Sequence, residues 1–168
     1  FSLYFFRDPQ RLTTNNNGFL SPADGKIIKI IDVKDDDIGS AKQISIFLSI
    51  FDVHSQRIPY SSRVINKNYN VGKFHLAFND KASLDNEQTL VFFETENGGK
   101  YKIKQIAGYI ARRIINYLEP GNYVNRGDRF GFIRFGSRVD IIVPVDFTLV
   151  VKEGDKVKAG TTIIGDFQ

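Results

Sequence analysis

The chain has 168 residues, 42% hydrophobic and 25% charged, which is enough apolar material for one domain with its own core and sets disorder aside. Cysteine is absent, so disulfides, thiolate metal sites and cysteine nucleophiles are excluded, and two histidines, His54 and His75, are too few for a multi-histidine metal centre. A net charge of +4, with no dense Lys/Arg block and no nucleic-acid motif, favours a lipid surface over nucleic acid as partner.

From the N-terminus, Phe1, Tyr4, Phe5 and Phe6 ahead of Arg7 form a stretch too short to span a bilayer. Such a stretch suits the interfacial border of a membrane helix, with the anchor itself lying before the residues given, and equally a first strand tucked into the core. Apolar and β-branched runs at 25–32, 43–51, 63–69, 90–94 and 101–107, separated by turn residues, predict short strands. Asp35, Asp36 and Asp37 with Gly39 predict a solvated hairpin tip, because they lack the spaced oxygen ligands of a calcium loop. Asn15 to Gly18 and Asn97 to Gly99 are turn chemistry. Residues 106–118 fit a short helix through Ala107, Ile110, Ile114 and Leu118, or a strand.

Near the end a pattern repeats: Gly121, Val124 and Gly127 share the spacing of Gly154, Val157 and Gly160, each set followed by a strand-like run. Two copies are too few for a solenoid and predict paired, pseudo-symmetric hairpins like those of lipoyl and biotinyl carrier domains. The expected fold is therefore mainly β (α+β), a compact β-sandwich or barrel-sandwich-like core with few short helices, in a single domain over residues 1–168.

The stretch richest in chemistry is Arg134-Phe135-Gly136-Ser137-Arg138-Val139-Asp140. A Gly-Ser step between strand-like runs can form a tight turn in which the Ser137 hydroxyl attacks the unshielded Gly136 carbonyl, given a base and an oxyanion donor. Elimination and hydrolysis would then leave a pyruvoyl group at position 137. Most Gly-Ser steps are plain turns, so the pair carries weight only in company. Asp24 follows Ser21-Pro22-Ala23 at a turn before a strand, and Asp52 and His54 follow an apolar run. In strand geometry Asp52 and His54 would face the same side, where a carboxylate raises the basicity of an imidazole. Taken singly, Asp24 reads as a turn residue and His54 as a hydrogen-bonded strand end.

Six blocks in order resemble the short form of the phosphatidylserine decarboxylase family over residues 5–165. They are Phe5-Phe6-Arg7-Asp8-Pro9; Ser21-Pro22-Ala23-Asp24-Gly25; Phe51-Asp52-Val53-His54 with Arg57 and Pro59; Asp80-Lys81-Ala82-Ser83 with Asn86 and Glu87; Ile106-Ala107-Gly108 with Ala111-Arg112-Arg113; and the stretch around Gly136-Ser137. The resemblance implies self-cleavage between Gly136 and Ser137 into a large chain, 1–136, and a small chain, 137–168. It implies a covalent pyruvoyl cofactor made from Ser137, whose ketone condenses with the amine of phosphatidylserine and accepts the electrons released with CO₂. His54 would protonate the resulting carbanion or position the carboxylate, and Asp24, with Asp52 beside His54, would assist.

In longer family members a second histidine stands where this chain has Arg57, whose guanidinium cannot act as a base. Arg57 is instead expected to bind substrate carboxylate or phosphate, with Arg138 and Arg112 as further lipid-phosphate contacts. The implied setting is the cytoplasmic face of the cell membrane, with a phospholipid substrate, no nucleic acid and no metal, and with room for association into a homo-oligomer. Two alternatives differ in kind: decarboxylation of an archaeal-type serine ether phospholipid, and a non-catalytic barrel-sandwich interaction domain. The second leaves the coexistence of Asp24, His54 and the Gly136–Ser137 step without a reason.

Overall fold

The computed structural model describes residues 2–5, 7–11, 17–72, 86–108, 113–133 and 136–168. The chain begins with a helical turn, α1 (Ser2–Phe5), and continues in strands: β1 (Phe19–Leu20), β2 (Gly25–Asp35), β3 (Gly39–Leu48), β4 (Ser55–Arg57), β5 (Ser62–Asn70), β6 (Gln88–Glu94) and β7 (Lys100–Ile106). After these come β8 (Ile114–Asn116), β9 (Tyr123–Val124), β10 (Arg129–Ile133), β11 (Ser137–Pro144), β12 (Thr148–Leu149), β13 (Lys156–Val157) and β14 (Ile163–Asp166). The architecture is mainly β, as expected, and among the described residues the helical content is α1 alone.

One eight-stranded sheet runs β13-β2-β3-β11-β7-β6-β5-β9, and two three-stranded sheets run β1-β14-β12 and β4-β10-β8. In β6, Thr89, Val91 and Phe93 point inward while their neighbours are half-buried, the alternation of a sheet with one face on a core. β11 is buried along almost its whole length. Phe93 and Tyr101 stack with ring centroids 4.6 Å apart, and Phe19 meets the Tyr101 edge at 5.0 Å. Buried aliphatics such as Ile46, Ile103, Val139 and Ile141 fill the rest, each burial worth about 1.5–3 kcal/mol.

The sheet order reads the same from both ends under a pseudo-two-fold that exchanges β13 with β9, β2 with β5, β3 with β6, and β11 with β7. The repeated Gly-x-x-Val-x-x-Gly turns are its clearest sign. Gly121 N–H donates to Val64 O, whose own N–H donates to Asn122 O, while Gly154 N–H and Ile27 do the same with Asp155 O. At the second glycine, Gly127 N–H donates to Ile58 O and Gly160 N–H to Ser21 O. The bulge matches too, falling between Val64 and Asn66 in β5 and between Ile27 and Lys29 in β2.

Two expectations are adjusted by local hydrogen bonding. The strand expected over 43–51 stops at Leu48, because Ser49 N–H donates to Asp52 Oδ2 at 2.7 Å and Asp52 N–H to Ser49 O at 3.1 Å. The closed turn leaves Ile50 and Phe51 exposed rather than in the core. The stretch 106–118, open to helix or strand from its sequence, is strand on either side of residues outside the description.

Candidate active site

One half of the pseudo-dyad closes where the other stays open. β6 turns into β7 through a tight loop in which Thr95 N–H donates to Gly99 O at 2.8 Å and Gly99 N–H to Thr95 Oγ1 at 2.8 Å. At the corresponding end of the other half, β3 finishes at Leu48 and its partner β11 begins at Ser137, directly opposite. The whole of residues 49–136 stands in place of a hairpin turn. On leaving, the chain passes through the 49–52 turn and His54 into β4; on returning, it leaves β10 at Ile133 and reaches Gly136 and Ser137. Ser55 is paired with Phe132, so these two crossings run side by side from one sheet to the other. His54 lies in the outgoing crossing and the Gly136–Ser137 bond in the incoming one.

Gly136 has φ +55°, and a Cβ there would meet no atom within 4 Å. Its conformation, not crowding, calls for glycine, and the bare Cα leaves the Gly136 carbonyl unshielded. Ser137 is fully buried, and its Oγ finds no hydrogen-bond partner among the described residues. An unpaired hydroxyl in such surroundings costs about 1–3 kcal/mol, which folding alone gives no reason to accept.

His54 is also fully buried, with Nδ1 2.8 Å from the Asp52 carbonyl oxygen. A carbonyl can only accept, so Nδ1 carries the proton and Nε2 presents its lone pair. This corrects the expected pairing: the Asp52 carboxylate does not hold the ring, since it caps the turn at Ser49, and residues 52–54 are not strand. Burial pulls the His54 pKa below its ordinary 6.5, opposed by the bond to Asp52 and by the charges of Asp52 and Asp24, and reinforced by Arg7. The ring tilts toward Phe132 with centroids 6.3 Å apart.

Asp24 is buried beside the second glycine turn. Arg11 grips both its carboxylate oxygens, and Ala159 N–H donates to Oδ1 at 2.8 Å. Arg57, half-buried on β4, donates to Gly127 O at 3.0 Å and Pro9 O at 3.2 Å and reaches Asp8 Oδ1 at 3.4 Å. Arg138 lies inside the sheet: Nε and Nη2 donate to Asp140 at 2.8 and 3.1 Å, and the side chain is 1% exposed. A contact to lipid phosphate at the protein surface is therefore replaced by an internal ion pair. Arg112, with Arg134, His75 and the 80–83 block, lies outside the described residues. Asn86 Nδ2 donates to Ala107 O at 2.6 Å, and Glu87 Oε1 accepts from Ile114 N–H at 3.3 Å.

Three features escaped the sequence. The segment 7–11 straps the mouth of the site: Arg7 donates to Phe51 O at 2.7 Å, Asp8 bridges Arg57 and Arg129, and Arg11 holds Asp24. Gln56, two residues past His54, accepts from Gln105 Nε2, whose Oε1 accepts from Asn116 Nδ2 at 2.7 Å. Both glutamines are fully buried, and Gln56 Nε2 has no partner among the described residues. Arg129 stands opposite Arg57 in the ladder. The charges at Arg7, Asp8 and Arg11 were the signal that could have found the strap, while nothing in the sequence marks the glutamines as buried. Among the described residues no group of three His, Asp or Glu side chains could hold a metal, and no helix is long and apolar enough to cross a membrane.

Comparison with known proteins gives the family of the chain. The sequence pattern described as phosphatidylserine decarboxylase matches residues 1–165. The phosphatidylserine decarboxylase proenzyme of Desulfotalea psychrophila is 46% identical over 168 residues, covering 98% of this chain and 78% of that protein. Proenzymes of the same name from Rickettsia akari, 46% identical over 171 residues, and Chlorobium chlorochromatii, 43% identical over 169, cover 98% and 99% of this chain and 74% and 79% of their own lengths. The chain belongs to the phosphatidylserine decarboxylase family.

Proposed function

We propose that this chain breaks itself between Gly136 and Ser137 and then decarboxylates phosphatidylserine to phosphatidylethanolamine with a pyruvoyl group formed from Ser137. The observation that carries the reading is the buried Ser137 hydroxyl, without a hydrogen-bond partner among the described residues, following a positive-φ glycine where a hairpin has been opened. The proenzyme names of the relatives fit a precursor that is processed.

In the first step Ser137 Oγ attacks the Gly136 carbonyl carbon and gives up its proton. The Gly136 C–N bond breaks, that proton passes on to the departing Ser137 nitrogen, which leaves as an amine, and the amide becomes an ester. His54 accepts that proton at Nε2, since Nδ1 is tied to Asp52 O and burial keeps the ring neutral at pH 7. Loss of the Cα proton at position 137 expels the Gly136 carboxylate and leaves dehydroalanine at the head of the small chain. Water converts this enamine to the ketone and releases ammonia. Asp24, fixed by Arg11 and Ala159 N–H, sets the negative charge nearby that favours a protonated His54. Arg57, a guanidinium with donors and no acceptor, cannot replace a base.

Once formed, the pyruvoyl group supplies the electron sink for carbon–carbon cleavage. The chain's part is to exclude water and to return a proton to the carbon that loses CO₂, a task His54 can perform in its protonated form. The reaction takes place at a membrane surface, on the cytoplasmic side. The membrane surface is supported by exposed Leu3, Tyr4 and Phe51, with Arg7 donating to Phe51 O and lying 3.9 Å over the Tyr4 ring.

The test is an intact-mass spectrum under denaturing conditions, before and after borohydride. Chains corresponding to 1–136 and 137–168, the smaller gaining the mass of a reduced ketone, are expected. A single chain inert to borohydride would refute the reading.

A further inference from the structure

Arg129 and Arg57 occupy directly opposed positions on β10 and β4. Like charges so placed repel and weaken a sheet, so an antiparallel pair of this kind needs an anion between the two side chains. In the structure that anion is Asp8, which the strap lowers onto both: Oδ2 meets Arg129 Nη1, and Oδ1 meets Arg57 Nη2 at 3.4 Å. The second contact is long, and Arg57 divides its donors among Asp8, Pro9 O and Gly127 O. Arg129 stays 61% exposed at its side chain. One carboxylate therefore only partly satisfies two guanidiniums, whose combined donors match the spread oxygens of a phosphate better than those of a single aspartate.

Two cavities open side by side here, with Asp8 and Arg129 in the lining of each. One, about 740 Å³, is polar and also takes in Arg11 and Arg57. The other, about 360 Å³, is lined by Ile115, Tyr117 and Phe132 together with Ser55, the residue following His54. A cationic seat thus adjoins an apolar gutter, and Phe132 is shared between the gutter and the His54 ring.

We propose that Arg57 and Arg129 form the seat for the phosphodiester of a glycerophospholipid, that the gutter takes its glycerol and first acyl carbons, and that Asp8 fills the seat when no lipid is bound. The site rests on the lipid-decarboxylase reading for its biological ligand, but its geometry can be tested without any reaction. A lipid entering the seat must displace the Asp8 carboxylate, which makes the strap a built-in competitor for anions.

The experiment is isothermal titration of the whole protein with monomeric dihexanoylphosphatidylglycerol, an anionic phosphodiester without the amine that decarboxylation needs, and in parallel with inorganic phosphate. Arg129→Gln should weaken lipid binding about tenfold, the weight of one charge-assisted hydrogen bond, and Asp8→Asn should tighten it several-fold. The exposed position of Arg129 and the near-isosteric change at Asp8 keep both variants folded, which a thermal melt checks. Tyr117→Ser should weaken the lipid and leave phosphate unaffected. Unchanged affinity in Arg129→Gln, or weaker binding in Asp8→Asn, overturns the seat. Phosphate binding as tightly as the lipid overturns the gutter and the lipid assignment with it. A protein that shows these shifts but yields no borohydride-sensitive chain keeps the seat while losing the proposed reaction.

Discussion

The two pseudo-equivalent glycine turns differ at one telling place. Ser61 Oγ accepts from Arg126 N–H at 2.9 Å, and at the matching position of the other half Asp24 Oδ1 accepts from Ala159 N–H at 2.8 Å. The structural task is the same, holding the second turn against the start of the long strand, and a serine performs it. The half that keeps its hairpin closed uses the neutral group. The half whose hairpin is opened between Leu48 and Ser137 carries a carboxylate instead, together with an arginine to hold it. A fold built twice from one plan thus shows what the architecture requires and, at Asp24, a charge that it does not require.

The sharpest way to break the comparison is Ser137→Ala, which should make the open half as inert as the closed one. A single uncut chain and decarboxylation at background are expected, by mass spectrometry and CO₂ release; normal activity would remove the mechanism. Next in size is the carboxylate. Asp24→Ala should lower stability by about 3 kcal/mol, since it strands the half-buried Arg11 and the Ala159 N–H together. Ser61→Ala, which loses only one neutral acceptor, should lose about 1 kcal/mol in the same urea titration. Equal losses would show that Asp24 is nothing more than the counterpart of Ser61.

The first glycines of the two turns sharpen the symmetry rather than break it. Gly121 and Gly154 have φ of +90° and +94° with open space where a Cβ would stand. Alanine at either should cost about 1–2 kcal/mol from backbone strain alone, and the two melts should agree. The smallest effect belongs to His54, whose proton affinity is lowered by burial. As pH falls through 6.5 the unfolded chain takes up a proton that the folded chain does not, so stability drops; above that value both forms are neutral and the contribution vanishes. Parent protein should therefore lose more of its melting temperature between pH 7.5 and 5.5 than His54→Gln, and parallel losses would contradict the depressed affinity.

Where pattern and chemistry were local, the sequence disclosed them. The apolar run at 90–94 announced β6, and the spaced glycines announced the paired turns. Gly136-Ser137, Asp24 and His54 were visible as residues, and the structure supplies the crossing chains that bring them to one end of the sheets. What stayed hidden depends on partners distant in sequence. Asp52 looked like a partner for His54 until Ser49 claimed its carboxylate. Arg138 looked like a surface cation until pairing with Asp140 placed it inside the sheet. Gln56 and Gln105 carry no local mark of burial, because only the pairing of β4 with β10 and of β7 with β11 encloses them.

The position of β11 has a consequence for what a break before Ser137 would do. Its residues 137–144 pair with β3, and 138–142 pair with β7 on the other side, so the segment beginning at that bond is clasped along both edges. Its continuation returns to β2 through β13 and to β1 through β14. Scission would yield two polypeptides that dilution does not part, since the shorter one leaves only if the main sheet is dismantled. Each product would serve as the other's template, and the molecule would keep its shape while gaining a new chain terminus deep in its interior.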